Sequence, residues 1–324
     1  MLIAINHHYI RPDYNLPYTG INGITPDLFR DKLMLLSKHG IFVSSDQVAE
    51  SIEGKIDLPE RSMIITFDDG LKEQYEIALP VLNELGIPAL FFINTINIKG
   101  HVSSVHKIHL LRSYVSPAKF SDELFSFIRQ EKLNVIDLES ARSLGASHYI
   151  YDDPVTASIK YILNFILPAE ALEKFINNLF PEYFDEATVA SELYMTAEQI
   201  SHLASLGYLG SHGHEHLPLA QLSSDEASFQ IRESQEIIKT VTGKPVHAFS
   251  YPYGSDEASN GLSEQLKAAG FKFAFTMKRN ANEFINDPFY LGRFDNNDMP
   301  LGKASKFPEG ANIFDHLKEQ HHAG

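Results

Sequence analysis

Apolar residues fall in short runs separated by longer segments in which they recur every three to four positions, the alternation expected of buried strands and amphipathic helices. Leu2 to Ile5 form the first run, ending in Asn6-His7-His8-Tyr9. Arg11 to Gly23 is rich in Pro, Tyr, Asn and Gly and predicts a loop. Thr25-Pro26-Asp27 opens a helix, with a capping hydroxyl and a proline at the first helical position. Phe29, Leu33 and Leu36 keep its apolar face until Gly40. Ile41 to Val43 predict a strand, Ser45 to Ile52 a helix, Ser62 to Phe67 a strand, and Glu73 to Leu85 a helix closed by Gly86. Pro88 to Ile93 is apolar throughout, as a strand buried on both faces should be.

Residues 100 to about 195 break this rhythm, with helical runs such as Lys119–Glu131 and Thr156–Phe180 and few strand signals. They predict a helical insertion, not a separate domain, so the chain is expected to be one domain over 1–324. The alternation resumes at Thr196-Ala197-Glu198-Gln199, a capping-box helix start, and that helix ends near Gly207. Tyr208-Leu209-Gly210 leads into Ser211-His212-Gly213-His214-Glu215-His216, and Ser224 to Val241 predicts a long amphipathic helix. Val246 to Ser250 predicts a strand running into Tyr251-Pro252-Tyr253-Gly254, then come a helix at Ser263–Ala269, a strand at Phe271–Thr276 and a last short one at Tyr290-Leu291. The polar end, with His316, His321 and His322, is expected to fray. Repeated βα units indicate an α/β fold on a parallel sheet.

Composition narrows the chemistry. Among 324 residues, 27 Lys and Arg face 42 Asp and Glu, a formal charge of −15. That balance argues against nucleic acid or an anionic membrane as main partner, and leaves neutral substrates such as uncharged sugars open. Without a cysteine there is no disulfide frame, thiolate metal site or cysteine nucleophile. The N-terminus lacks a basic region followed by a long apolar stretch, and no run is long enough to span a bilayer, so a cytoplasmic protein is expected.

Two stretches stand out chemically. Thr66-Phe67-Asp68-Asp69-Gly70 follows the run Met63-Ile64-Ile65, which places two carboxylates and a turn glycine at the C-terminal tip of a strand, where α/β enzymes carry their chemistry. Neighbours on an extended chain point opposite ways, so the two acids suit a division of labour, one on a metal and one free as a base. The histidine cluster supplies nitrogen ligands. Two neutral imidazoles and one carboxylate would leave an open coordination position for water.

Taken together, Thr66-Phe67-Asp68-Asp69-Gly70, the spaced pair His212 and His216, and Tyr251-Pro252-Tyr253-Gly254 resemble the polysaccharide deacetylases of the NodB-homology type, carbohydrate esterase family four. The likeness covers roughly residues 1–98 and 196–295. It implies an irregular (β/α) barrel of the NodB-homology type with a helical insertion. It further implies a divalent metal on Asp69, His212 and His216, zinc foremost, with cobalt, nickel or iron also suited to such ligands. Asp68 would then be the general base, and the Tyr253 N–H would help hold the oxyanion. His214 is left a bystander.

In two places the chain departs from the family pattern. Many members have an arginine, which orients the base, where this chain has Ser250; Arg293, in Leu291-Gly292-Arg293-Phe294-Asp295, is the best substitute. Many also carry a general-acid histidine near the C-terminal end, and none lies between residues 271 and 300. The poly-N-acetylglucosamine deacetylases instead carry it on the first strand in a Tyr-His pattern, which Ile5-Asn6-His7-His8-Tyr9-Ile10 resembles, with His8 as the acid and His7 in place of the tyrosine. The expected activity is hydrolysis of acetyl groups from N-acetylated sugars or polysaccharide. A deformylase, O-deacetylase or cyclic amide hydrolase on the same barrel is an alternative, as is a sugar-binding protein that has lost catalysis.

Overall fold

The computed structural model describes residues 1–12, 23–133, 138–148, 153–283, 285, 287–308 and 310–322, so most of the loop expected between Arg11 and Gly23 lies outside the described residues. Contacts divide the chain into two compact units, one of residues 1–13, 23–101 and 190–324, the other of residues 14–22 and 102–189.

The first unit is built on an eight-stranded sheet: β1 (Leu2–His7), β2 (Ile41–Phe42), β3 (Ser62–Phe67), β4 (Ala89–Ile93), β5 (Leu209–Ser211), β6 (Ala248–Ser250), β7 (Phe273–Phe275) and β8 (Phe294–Asp295). Their spatial order is β7-β6-β5-β4-β3-β1-β8, with β2 paired to the start of β3, and every pair is parallel. Between β7 and β8 the curled sheet is drawn together at Leu291, whose N–H donates to Ala274 O and whose carbonyl accepts from Thr276 N. This is the irregular (β/α) barrel the sequence led us to expect.

Strand alternation sorts the side chains into two layers. Ile3 and Ile5 of β1 with Met63, Ile65 and Phe67 of β3 join Phe29, Leu33, Leu82, Leu203 and Ile231 of the surrounding helices in the larger core. Leu2, Ala4, Ile64, Leu90, Phe92, Ala248, Phe273 and Phe275 form a second cluster on the opposite face. Continued toward the C-terminal strand ends, this second face passes from Ala4 to Asn6, from Ile64 to Thr66 and Asp68, and from Ala248 to Ser250. The periodicity that builds the core thus delivers polar groups to one end of it.

Most predicted elements appear where expected, and the exceptions have identifiable causes. The approach to the histidines is a strand, β5, where the sequence suggested only a connection. It is three residues long and contains Gly210, whose added Cβ would lie 2.5 Å from the Phe92 ring. The helix expected over Glu73–Leu85 begins as a π turn, Gln74–Ala78, and becomes α-helical at Leu79–Leu85, with Pro80 near that junction. At Tyr290-Leu291 there is one bridge, from Leu291 to Phe275, and the last strand is β8. The end of the chain is not frayed but helical, Ile313–His322, because Ile313, Phe314 and Leu317 bury an apolar stripe in the larger core.

The described residues of the second unit are largely helical. Its segments include Ser104–Tyr114, Pro117–Gln130, Leu138–His148, Pro154–Tyr161 and Ala169–Leu179. Phe175 packs edge-on against Phe120 and tilted against Phe127, with Leu124, Ile159 and Ile176 buried. The single run expected over Thr156–Phe180 is interrupted at Pro168, whose missing N–H and ring disfavour a continuous helix.

Candidate metal centre and active site

Asp69 departs from the alternation of β3. Its φ of 78° turns the chain out of the strand, and Gly70 follows at 65°. Asp69, His212 and His216 are all buried, and their ligand atoms lie within 4.8 Å of one another, so this group could hold a metal ion. Asp69 Oδ1 is 3.6 Å from His212 Nε2 and 3.4 Å from His216 Nε2. Tetrahedral ligands bound at about 2.1 Å would stand about 3.4 Å apart, so the spacing suits a shared ion. His212 Nδ1 lies 2.7 Å from Ser250 O, a carbonyl that can only accept, so Nδ1 carries the hydrogen and Nε2 presents its lone pair.

The loop between the two histidines is fastened to the end of β4. Asn94 Nδ2 donates to His212 O, Thr95 N to Gly213 O, and Ile96 N to His214 O. His214 is held apart from the ligand group, with its Nδ1 2.8 Å from Thr95 Oγ1. Burial, ahead of the neighbouring charges, holds its imidazole below the ordinary histidine range.

Asp68 keeps the inward direction of β3 and is gripped by three donors' worth of side chain. Arg293 spans it, NH1 to Oδ1 at 2.9 Å and NH2 to Oδ2 at 2.8 Å, and Asn6 Nδ2 donates to Oδ2 at 2.9 Å. The guanidinium, fully buried, also donates to Ser250 Oγ, Thr276 O and Asn6 Oδ1. It sits over the rings of Phe92 and Phe275 on the inner face. Ser250 therefore leaves room for, and bonds to, an arginine that arrives from just before β8. Burial by itself would raise the Asp68 carboxyl, but the charge of Arg293, followed by that of His212, outweighs it and holds the group well below the usual carboxylate range.

His8 lies one residue past β1, half-buried, and close enough to Asp68 for its charge to lower that carboxyl further. His7 faces the opposite way, packed in the larger core with its ring 5.1 Å from Phe29 and 5.2 Å from Phe67. Tyr253 occupies a tight turn in which Gly254 N donates to Pro252 O, and its exposed ring stands 4.9 Å from that of His216. Five non-glycine residues among those described have positive φ, and three of them are Asp69, His216 and Tyr253. Backbone strain of this kind gathers at functional sites.

All seven residues singled out in the sequence belong to the first unit. Asn6, Gln74, Asn94 and Thr95 were not singled out. Asn6 could have been found from its inward position one step below His7, whereas the others act through contacts to backbone carbonyls, and in Thr95 also to the His214 ring, that no motif advertises.

The polysaccharide deacetylase family model matches residues 55–115 and 183–274. Among solved structures, the chain resembles a Streptococcus pyogenes deacetylase in complex with acetate, at 14% identity, TM-score 0.57, and coverage of 98% of this chain and 97% of that one. It also resembles a de-N-acetylase from Aggregatibacter actinomycetemcomitans (16%, TM-score 0.55, 98% and 99% covered) and IcaB from Ammonifex degensii (18%, TM-score 0.53, 90% and 90% covered). No curated protein matches the sequence. No helix among the described residues is long and apolar enough to cross a membrane.

Proposed function

We propose that this chain, which carries a polysaccharide deacetylase domain, hydrolyses the acetamido group of N-acetylated sugars or polysaccharide at the ends of β1, β3 and β5. The observation that carries this reading is the pairing of a convergent Asp69, His212, His216 group with a second carboxylate, Asp68, that is not one of the three and is fixed by Arg293 and Asn6. Binding alone needs no carboxylate outside the ligand group, so Asp68 weighs against a binding protein that has lost catalysis.

Asp69, His212 and His216 would hold a divalent ion, zinc first by ligand type and cobalt, nickel or iron next. When bound, such an ion supplies Lewis acidity to the acetyl carbonyl and to the attacking water. Asp68 accepts the proton of that water as the new bond to the carbonyl carbon forms. Its low proton affinity keeps it ionised through the neutral range, and Arg293 keeps the accepting oxygen in one orientation. The Tyr253 N–H, carried by the Pro252–Gly254 bend, would donate to the oxygen that gains charge. His8 then gives its proton to the leaving nitrogen, which cannot depart as an amide anion.

The test is acetate release from N-acetylglucosamine oligomers by the zinc- or cobalt-loaded protein, run beside O-acetyl, N-formyl and cyclic amide substrates. We expect amide deacetylation to dominate, and Asp68→Asn to bind metal normally yet lose about 10²–10⁴-fold in turnover. Asn-variant activity within a few fold of the parent, or no release from any N-acetyl sugar, would overturn the reading.

A further inference from the structure

We propose that Gln74 is a positioning residue, setting the His8-bearing segment in register with Asp68; the inference rests on the roles given to those two residues above. The main-chain ladder between β1 and β3 runs from Leu2↔Ser62 to His7↔Phe67. Its last backbone hydrogen bond is from Asp68 N to His7 O, at 3.1 Å. Beyond that point the two strands no longer pair, yet the acid and the base lie there.

Gln74 supplies the next rung. Its side chain is fully buried, and its Nε2 donates both to Asp68 O at 2.6 Å and to His8 O at 3.0 Å. The two hydrogens of one amide are thus spent on the carbonyls of the two residues assigned to proton transfer. The preceding residue extends the grip: Glu73 Oε1 accepts from Ile10 N at 2.8 Å, and its carboxylate pairs with Arg11 at 3.0 Å. Two successive side chains therefore hold three of the four residues from His8 to Arg11: His8, Ile10 and Arg11.

The local backbone accounts for this reach. Gln74 opens the π turn Gln74–Ala78, in which Leu79 N bonds to Gln74 O, five residues back. A π turn is wider than an α turn and is found often at functional sites. It is followed by the α-helix Leu79–Leu85, with Pro80 in its first turn, where the missing N–H costs least.

Gln74→Met removes both donors at similar volume. We expect kcat on N-acetylglucosamine oligomers to fall about 10- to 100-fold with KM nearly unchanged, the scale on which small misplacements act. Zinc affinity of the metal-stripped protein should be unchanged, because no proposed ligand touches Gln74. In a His8→Ala background the same substitution should cost no more than about twofold, since the residue through which it acts is gone. Amide hydrogen exchange at Asp68, whose N–H makes the last rung to His7 O, should quicken while that of Met63 to Ile65 does not. An equal loss in both backgrounds, lost zinc binding, or full activity in Gln74→Met overturns the proposal. If the parent protein releases no acetate, the functional reading fails separately, and unchanged exchange at Asp68 then overturns the clamp by itself. Should Gln74→Met not fold, Gln74→Asn, which keeps the amide one methylene short, replaces it in the same measurements.

Discussion

Arg293 and Asp68 form a buried ion pair with two parallel hydrogen bonds, and the pair makes sense only as a pair. Arg293→Met would leave the Asp68 carboxylate among Asn6, Thr66 and Ser250 without the guanidinium that spans it. Removing one partner of a buried pair costs about 3–5 kcal/mol, so denaturant unfolding at neutral pH should show a loss of that order. The pH dependence has a definite sign. In the parent, Asp68 ionises below its unfolded value, so its contribution is present above the ordinary carboxylate range and is lost only as pH falls through the depressed folded value. In the variant, burial is opposed only by the lesser influence of His212, His8 and the Asn6 hydrogen bond, so the folded value rises above the parent's. The stability gap between the two metal-free proteins should then be widest near neutrality and narrow on acidification, and the acid limb of the variant's kcat/KM should move to higher pH. A gap that stays constant with pH would show that Asp68 is not the group affected. The partnership was only partly legible in the sequence. Ser250 marked a missing arginine and Arg293 stood at a strand end, but their meeting depends on β6 and β8 curling toward one centre.

The first strand carries two histidines with opposite fates, and the period of two decides which is which. His7 faces the larger core, where burial first and then the charge of Lys32 lower its pKa from 6.5 to about 3. The folded protein therefore keeps His7 neutral where the unfolded chain would protonate it. Stability tied to this residue is whole above about pH 6.5 and drains as pH falls toward 3, about 2 kcal/mol of it by pH 5. His7→Leu, which fills the same apolar site, should flatten the unfolding free energy between pH 7 and pH 5 by about that amount; an unchanged slope would mean that His7 is not buried as a neutral ring. Strand and helix positions were legible here because periodicity and caps are local, as at Thr25, Ser44 and Thr196, whose side chains all accept helix N–H groups. What escaped was set by contacts from elsewhere: β5 exists because β4 and β6 flank it, and the last helix because Phe314 fills the space beside Gly40.

Across the molecule, the proposed metal ligands come from two distant segments of the first unit, Asp69 from the tip of β3 and the histidines from the loop after β5, with residues 102–189 of the second unit between them in the chain. The unfolded chain has no such constellation, so a metal that binds these three groups binds the folded state alone and must stabilise it. At a free concentration about 100 times the dissociation constant the gain is about 2.7 kcal/mol. Thermal melts should therefore rise with added zinc and fall back with a chelator. His212→Ala and Asp69→Ala should make the melt indifferent to both. Asp68→Asn should keep the zinc response, because its carboxylate is occupied by Arg293 and Asn6 instead of lying in the ligand group, and His214→Ala should keep it because that ring is engaged by Thr95. These four variants separate ligand from base and ligand from neighbour without reference to turnover. A zinc response that survives His212→Ala but disappears in His214→Ala would move the metal to the other face of the loop, and with it the reacting carbonyl.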